Sequence, residues 1–139
     1  MDKEKEALLA LAAKESAKEK VLSMLGFAMR ARKLVSGADK VCDEIRRHGH
    51  PSEDEKTKIS AVGIVLLASD ASANTKKRIR NACTYYNVEL IQTEIGSDRF
   101  AERIGKSSAA AVVATFDRGF AEGIRKANGT FSDNRLKRV

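Results

Sequence analysis

The chain has 139 residues, 42% of them hydrophobic, which is enough for one domain with a single core and leaves little for a second. Lys and Arg number 26 against 19 Asp and Glu, a net charge of +7, so the composition favours an anionic partner. Apolar runs such as Ala7 to Ala13 fall far below the roughly 18 residues of a membrane span, and no basic, apolar leader opens the sequence, so a cytoplasmic protein is expected.

The basic excess is concentrated. Residues 21–47 carry six basic groups against three acidic, residues 61–88 four against one, and residues 125–139 five against one. These are the Arg30 to Lys40 region, the Lys76 to Arg80 cluster and the C-terminal stretch.

In chain order, residues 1–19 are rich in Ala, Glu, Lys and Leu and have strong helix propensity, but only Leu8, Leu9, Leu11 and Ala12 to bury. A helical or frayed arm is expected there. Residues 20–126 then form the domain proper. Val21, Met24, Leu25 and Ala28 follow the i, i+3, i+4, i+7 pattern of a core helix, with Arg30, Arg32 and Lys33 gathered where cations suit the helix dipole. Leu34 and Val35 form a very short extended segment. Ser36-Gly37 then offers an N-cap with Asp39 following, an acidic variant of the capping box, for a second helix running to Arg47 over Ala38, Val41, Cys42 and Ile45.

Residues 48–60 hold the only proline and almost nothing apolar, as a long polar surface loop does. Val62 to Ala68 is nearly all apolar and β-branched, the composition of a central strand covered on both faces. A third helix begins near Ser72, with Thr75, Ile79, Ala82, Cys83 and Tyr86 inward and Lys76, Lys77, Arg78 and Arg80 outward or at its margin. A strand at Val88 to Ile91 follows, then a helix at Asp98 to Ile104 and a strand at Ala110 to Thr115. An Asp117-capped helix with Phe120 and Ile124 inward closes the pattern. Strands alternating with helices predict an α/β protein, a three-layer α/β/α sandwich on a small sheet. Residues 127–139 have the composition of a basic flexible tail.

Enzyme chemistry finds little purchase. Cys42 and Cys83 lie on the apolar stripes of separate helices, without the paired close spacing of a zinc site or a disulfide scaffold, so no metal or cofactor is expected. There is no G-x-G-x-x-G, G-x-x-x-x-G-K-[ST] or G-x-S-x-G motif. Asp70 follows a buried strand, where open sheets place ligands, but a phosphate-accepting domain also needs an earlier acidic pair for a divalent cation, and Leu34-Val35 is followed by Ser-Gly-Ala-Asp. Asp70 as a helix cap is the simpler reading.

RNA fits better. The end of one helix supplies Arg30, Arg32 and Lys33, and the start of the next supplies backbone amides at Gly37 to Lys40, two phosphate-seeking devices placed side by side. Five Phe and two Tyr, mostly at core spacings, argue against a base-stacking platform for single strands.

Three ordered segments carry a family signature: AMRARKLVSGADKVCDEIRR (28–47), SDASANTKKRIRNACTYYNVEL (69–90) and RIGKSSAAAVVATFDRGFAEGI (103–124). They strongly resemble the bacterial YlxQ-type branch of the L7Ae/L30e superfamily of ribosomal proteins. The resemblance spans about residues 20–126 and implies a four-stranded mixed sheet, no catalytic activity, and binding to structured RNA, typically kink-turns, in ribonucleoprotein particles. In such relatives the loop before the second helix and its first turn enter the RNA, with the pattern Gly-x-Asn-Glu-x-x-Lys. Here that pattern falls on Gly37, Ala38, Asp39, Lys40 and Asp43, and only the glycine matches. Asp39 lacks an amide donor, Lys40 reverses a charge, and Asp43 sets a carboxylate near phosphate. A second family contact falls on Glu94, Ile95 and Gly96, where an apolar side chain covers unstacked bases.

The expectation is thus a non-enzymatic RNA-binding protein, ribosome-associated or otherwise handling structured RNA. Its contacts are Arg30, Arg32, Lys33, Gly37, Ala38, Asp39, Lys40, Asp43, Lys76, Ile95 and Gly96. The competing expectation is a protein-interaction or regulatory scaffold of the same fold with weak RNA binding.

Overall fold

A computed structural model describes residues 2–51 and 63–129. The elements run α1 (Lys3–Arg30), β1 (Val35–Ser36), α2 (Ala38–His48), β2 (Ile64–Leu67), α3 (Ala73–Tyr86), β3 (Glu89–Gln92), α4 (Ser97–Ile104), β4 (Val112–Thr115) and α5 (Arg118–Gly129). Most of the expected 48–60 loop, the start of the expected Val62 strand and most of the basic tail lie outside the described residues. Residues 127–129 continue α5.

The N-terminal arm and the first core helix are one element. Asp2 caps it by accepting from the Glu4 amide, and no residue between Ala7 and Lys20 breaks it, so propensity carries the helix to Arg30. Burial begins only at Ala17, and residues 2–16 are exposed. Two arginines of α4 hold the junction: Arg99 donates to Glu15 and Glu19, and Arg103 donates to Glu19, at 3.0–3.4 Å.

The sheet order is β1-β4-β2-β3, with β2 and β3 parallel and β4 antiparallel to both β1 and β2. All four residues of β2 are buried, and they alternate between two cores. Ile64 and Leu66 pack with Val21, Leu25, Phe100, Val113 and Ile124, beneath α1, α4 and α5. Val65 and Leu67 pack with Val41, Ile45, Ile79, Cys83 and Val112, beneath α2 and α3. Each such side chain contributes about 1.5–3 kcal/mol on burial, which is why the apolar run of β2 dictates a helix layer on each face. The α/β/α sandwich with a four-stranded mixed sheet is therefore the fold, and Cys42 and Cys83 are buried in it.

Strand ends differ from the sequence expectation for local reasons. The Val88 amide donates to the Cys83 carbonyl and completes the α3 terminus, where Asn87 is left-handed, so β3 starts at Glu89. The Ala110 amide donates to the Ser97 carbonyl instead of a ladder partner, so β4 starts at Val112. At its far end, Asp117 accepts from the Phe120 amide at 3.0 Å and starts α5 as expected.

Candidate functional site

Because β1 and β2 both run antiparallel to β4, and β3 runs parallel to β2, the first three strands share one direction. Each is followed by a helix. The amino termini of α2, α3 and α4 therefore gather at the carboxyl ends of β1, β2 and β3, the usual ligand end of an α/β sheet. Backbone bonds stitch this rim: Gly37 N–H to Val112 O (3.0 Å), Ala68 N–H to Ala111 O (2.8 Å), Ser69 N–H to Ile95 O (2.8 Å) and Thr93 N–H to Leu67 O (3.0 Å).

Gly37 turns the chain from β1 into α2 at φ 98°, a conformation an L side chain rarely adopts. The expected capping box does not form: Gly37 itself occupies the N-cap position, no side chain caps the helix, and the Asp39 carboxylate points elsewhere. The Gly37 amide is also spent on Val112, and the Val41 amide donates back to Gly37 O at 2.9 Å. The available first-turn donors are thus Ala38, Asp39 and Lys40, one fewer than the sequence suggested. These orphan amides carry the positive end of the helix dipole, beside the exposed Lys40 side chain.

Both aspartates on this helix have arginine partners. Asp39 forms an ion pair with Arg78 of α3 at 2.8 Å, and Asp43 pairs with Arg46 at 3.2 Å within α2. The Asp39 carboxylate raises the Arg78 pKa above its ordinary value, with the Cys42 side chain adjoining it, so Arg78 is charged at every accessible pH. The basic run of α3 concealed this contact. With Ile79 inward, Arg78 falls on the flank facing α2, whereas Lys76 falls on the opposite flank and donates to the Ser69 carbonyl at 3.1 Å. Lys76 thus shares the sheet end with Lys40 but faces the β2–α3 turn.

Asp70 caps a helix, but not the following one. Ser72 caps α3, accepting from the Thr75 amide at 3.1 Å. Asp70 instead accepts from both the amide and the hydroxyl of Ser97 at 2.8 Å, at the start of α4. Those two bonds, the amide first, hold its pKa below the ordinary carboxylate value. Gly96, the N-cap residue of α4, has no side chain for the task.

Ile95 is not presented as an exposed apolar cover. It is 2% exposed and packs with Phe100 in the core under α4, because the Thr93 hydroxyl accepts the Ile95 amide and folds that turn inward. The turn presents Glu94 to solvent instead.

Arg30, Arg32 and Lys33 are all exposed, but at the other end of β1. The Lys33 carbonyl accepts from Thr115 at 2.6 Å, and Thr115 pairs with Ile64, the first residue of β2. Three residues separate Lys33 from Gly37, and the two bond to opposite ends of β4, Thr115 and Val112, so the two basic groups flank β1. The Arg30 guanidinium lies 4.9 Å over the ring of Phe27, itself half exposed, and Arg32 leaves the helix in a left-handed conformation at φ 61°.

Residues 19–124 match the Ribosomal protein L7Ae/L30e/S12e/Gadd45 family. The chain belongs to it. It is 41% identical over 98 residues to the RNA-binding protein YlxQ of Bacillus subtilis (strain 168), covering 70% of this chain and 84% of that one. It is 33% identical over 108 residues to the RNA-binding protein YlxQ of Enterococcus faecium, covering 78% and 90%. A solved structure of a protein with unknown function from Bacillus halodurans C superposes with a TM-score of 0.60 at 27% identity, covering 78% of this chain and 95% of the other. The L7Ae-type domain and the likeness to YlxQ expected from the three sequence segments are thus established.

Two features of the site escaped sequence reasoning. The Asp70–Ser97 cap joins residues 27 positions apart, with no local signal. Arg78 was visible only as one of several cations on α3; placing Ile79 inward and asking which flank meets α2 would have singled it out.

Proposed function

We propose that this protein binds structured RNA without catalysis, using the amino terminus of α2 as its principal phosphate site. The observation that carries this reading is the uncapped first turn of α2, whose free amides at Ala38, Asp39 and Lys40 share that turn with the exposed Lys40 side chain and with Asp39, the partner of Arg78. The names of the two YlxQ relatives support the same partner class. Gly37, Lys40 and Asp43 frame the site, Lys76 and Gly96 lie along the rim, and Arg30, Arg32 and Lys33 form a second basic flank across β1. Ribosomal RNA or another folded RNA of a cytoplasmic ribonucleoprotein is the partner, with kink-turns one candidate within that class.

The test is binding of the full chain to a kink-turn RNA, a bulged duplex and a plain duplex across a salt series. Three to six phosphate contacts give a log–log slope of roughly −2 to −5. Affinity indifferent to salt, or no binding at low salt, overturns the reading.

A second reading has its own observation. Leu8, Leu9 and Leu11 are 57–66% exposed on the part of α1 that precedes all burial, an arrangement suited to a protein-interaction scaffold. Removing residues 1–13 separates the two: RNA affinity is kept if the α2 site is the function, and the domain stays folded either way, since none of the described residues before Ala17 is buried.

A further inference from the structure

An acid at position 39 has the wrong sign for a surface that meets phosphate, and a surface that had merely lost RNA contact would have no reason to aim it across two helices. Asp39 is 87% exposed and Arg78 48% exposed, and an ion pair so placed adds little to stability. What the pair does is geometric. Arg78 Nη1 lies 2.8 Å from Asp39 Oδ1, which fixes a long, rotamer-rich side chain beside the first turn of α2. A guanidinium has five N–H donors in a rigid fork, of which Asp39 and the Cys42 side chain engage only part. The remainder stay available at the same place as the amides of Ala38, Asp39 and Lys40. Resting on the RNA-binding reading above, we infer that Arg78 contacts an RNA backbone phosphate through its unused donors and that Asp39 is the positioning residue that holds it there.

The chemistry favours phosphate over a base edge. A fork held at one edge can still present two parallel N–H groups to two phosphate oxygens, and the neighbouring helix terminus attracts the same anion. Lysine has a point charge and no fork, so it cannot both pair with Asp39 and grip two oxygens. Asp39 then weakens the net charge of the site by one unit while directing the charge that remains.

The sign of the Asp39→Asn effect decides between positioning and repulsion. Affinity for a bulged RNA duplex is measured with the full-length wild type, Arg78→Ala, Arg78→Lys, Asp39→Asn and the double variant Asp39→Asn/Arg78→Ala. Thermal unfolding of each provides the control for folding. Arg78→Ala is expected to lose about tenfold in affinity and to flatten the salt slope by about one unit, equally for plain and bulged duplexes. Arg78→Lys recovers only part of that loss. Asp39→Asn weakens binding about threefold although it removes a negative charge, yet in the Arg78→Ala background it is neutral or tightens binding. Tightening by the same factor in both backgrounds would mean that Asp39 only repels phosphate. Unchanged affinity in Arg78→Ala would place the contact elsewhere. Both results overturn this inference while leaving RNA binding intact, whereas failure of the wild type to bind any RNA at low salt overturns the functional reading and this one with it.

Discussion

Asp70 and Ser97 lie 27 positions apart in the chain, yet one carboxylate accepts both the amide and the hydroxyl of the serine, at 2.8 Å each. The turn after β2 thereby caps the helix after β3. Since Ser69 also donates to Ile95 and Thr93 to Leu67, the two turns form one hydrogen-bonded unit at the rim of the sheet. The bonds favour the ionised form of Asp70, so its pKa in the folded protein lies below that of the unfolded chain. The stabilisation is then complete above the unfolded pKa and disappears as pH falls through the lower, folded one.

Asp70→Asn is expected to cost less stability at neutral pH than Asp70→Ala, because asparagine keeps an acceptor for the Ser97 amide. It also removes the acid sensitivity that Asp70 contributes. Urea unfolding of wild type and both variants at pH 7 and pH 3 checks this: the gap between wild type and Asp70→Asn should narrow at the lower pH. A gap of constant size would show that the carboxylate charge plays no part in the cap. Magnesium should leave all three midpoints unchanged, since both carboxylate oxygens are occupied by Ser97.

Ile95→Ala is expected to destabilise the domain by about 2–5 kcal/mol, the range for truncating a buried isoleucine. Its side chain is 2% exposed against Phe100. Chemical denaturation supplies the measurement. A loss below about 0.5 kcal/mol combined with weaker RNA binding would restore Ile95 to the binding surface.

The contrast between Ile95 and Leu66 explains what was legible in the sequence. Leu66 sits in an unbroken apolar run, and the run by itself required a central strand with helices on both sides. Ile95 is a single apolar residue between Glu94 and Gly96, a context identical for a core residue and an exposed base-covering one. Its burial is decided by the Thr93 hydroxyl and by Phe100, which local periodicity does not encode. Helix caps followed the same division. Asp117 caps the helix that follows it directly and was readable, whereas the cap of α3 is Ser72 and not the Asp70 that the sequence offered. Asp39 obeyed the local pattern of a capping box, but the amide of the N-cap residue Gly37, which such a box engages, is bonded to Val112 O, and the Asp39 carboxylate pairs with Arg78, 39 positions away. The separation of the Arg30 to Lys33 group from Gly37 was likewise hidden, since a two-residue strand is too short for the sequence to reveal that the chain runs there from the Thr115 end of β4 to its Val112 end.

Thr115 anchors that separated group. Its hydroxyl is buried, donates to the Lys33 carbonyl at 2.6 Å and accepts from the Asp117 amide at 3.3 Å. Thr115→Val keeps the volume and leaves both groups without their partner, at an expected cost of about 1–3 kcal/mol. Lys33→Ala, by contrast, removes only an exposed side chain and should shift stability by less than about 0.5 kcal/mol while weakening RNA binding. Thermal unfolding of the two variants in parallel tests the division of labour between the Lys33 backbone and side chain. Unfolding of Lys33→Ala would make that side chain structural.

Arg32 offers the sharpest separation of contact from conformation. The residue follows the α1 C-cap at φ 61°, where a side chain with a Cβ costs about 1–2 kcal/mol relative to the right-handed region. Glycine removes that strain, but it also gives the unfolded chain more freedom, so the two effects offset one another in part. Arg32→Gly is therefore expected to leave stability unchanged or raise it by up to about 1 kcal/mol. Arg32→Ala keeps the strain and should not gain. Both variants remove the same charge from the flank formed with Arg30 and Lys33, so both should lower RNA affinity by the same factor and flatten the salt slope alike. Denaturation midpoints read the conformational part, and binding across a salt series reads the contact. If affinity falls for Arg32→Gly but not for Arg32→Ala, the left-handed turn orients the flank and the guanidinium does not touch RNA. If neither variant changes affinity, the RNA lies wholly on the α2 side of β1.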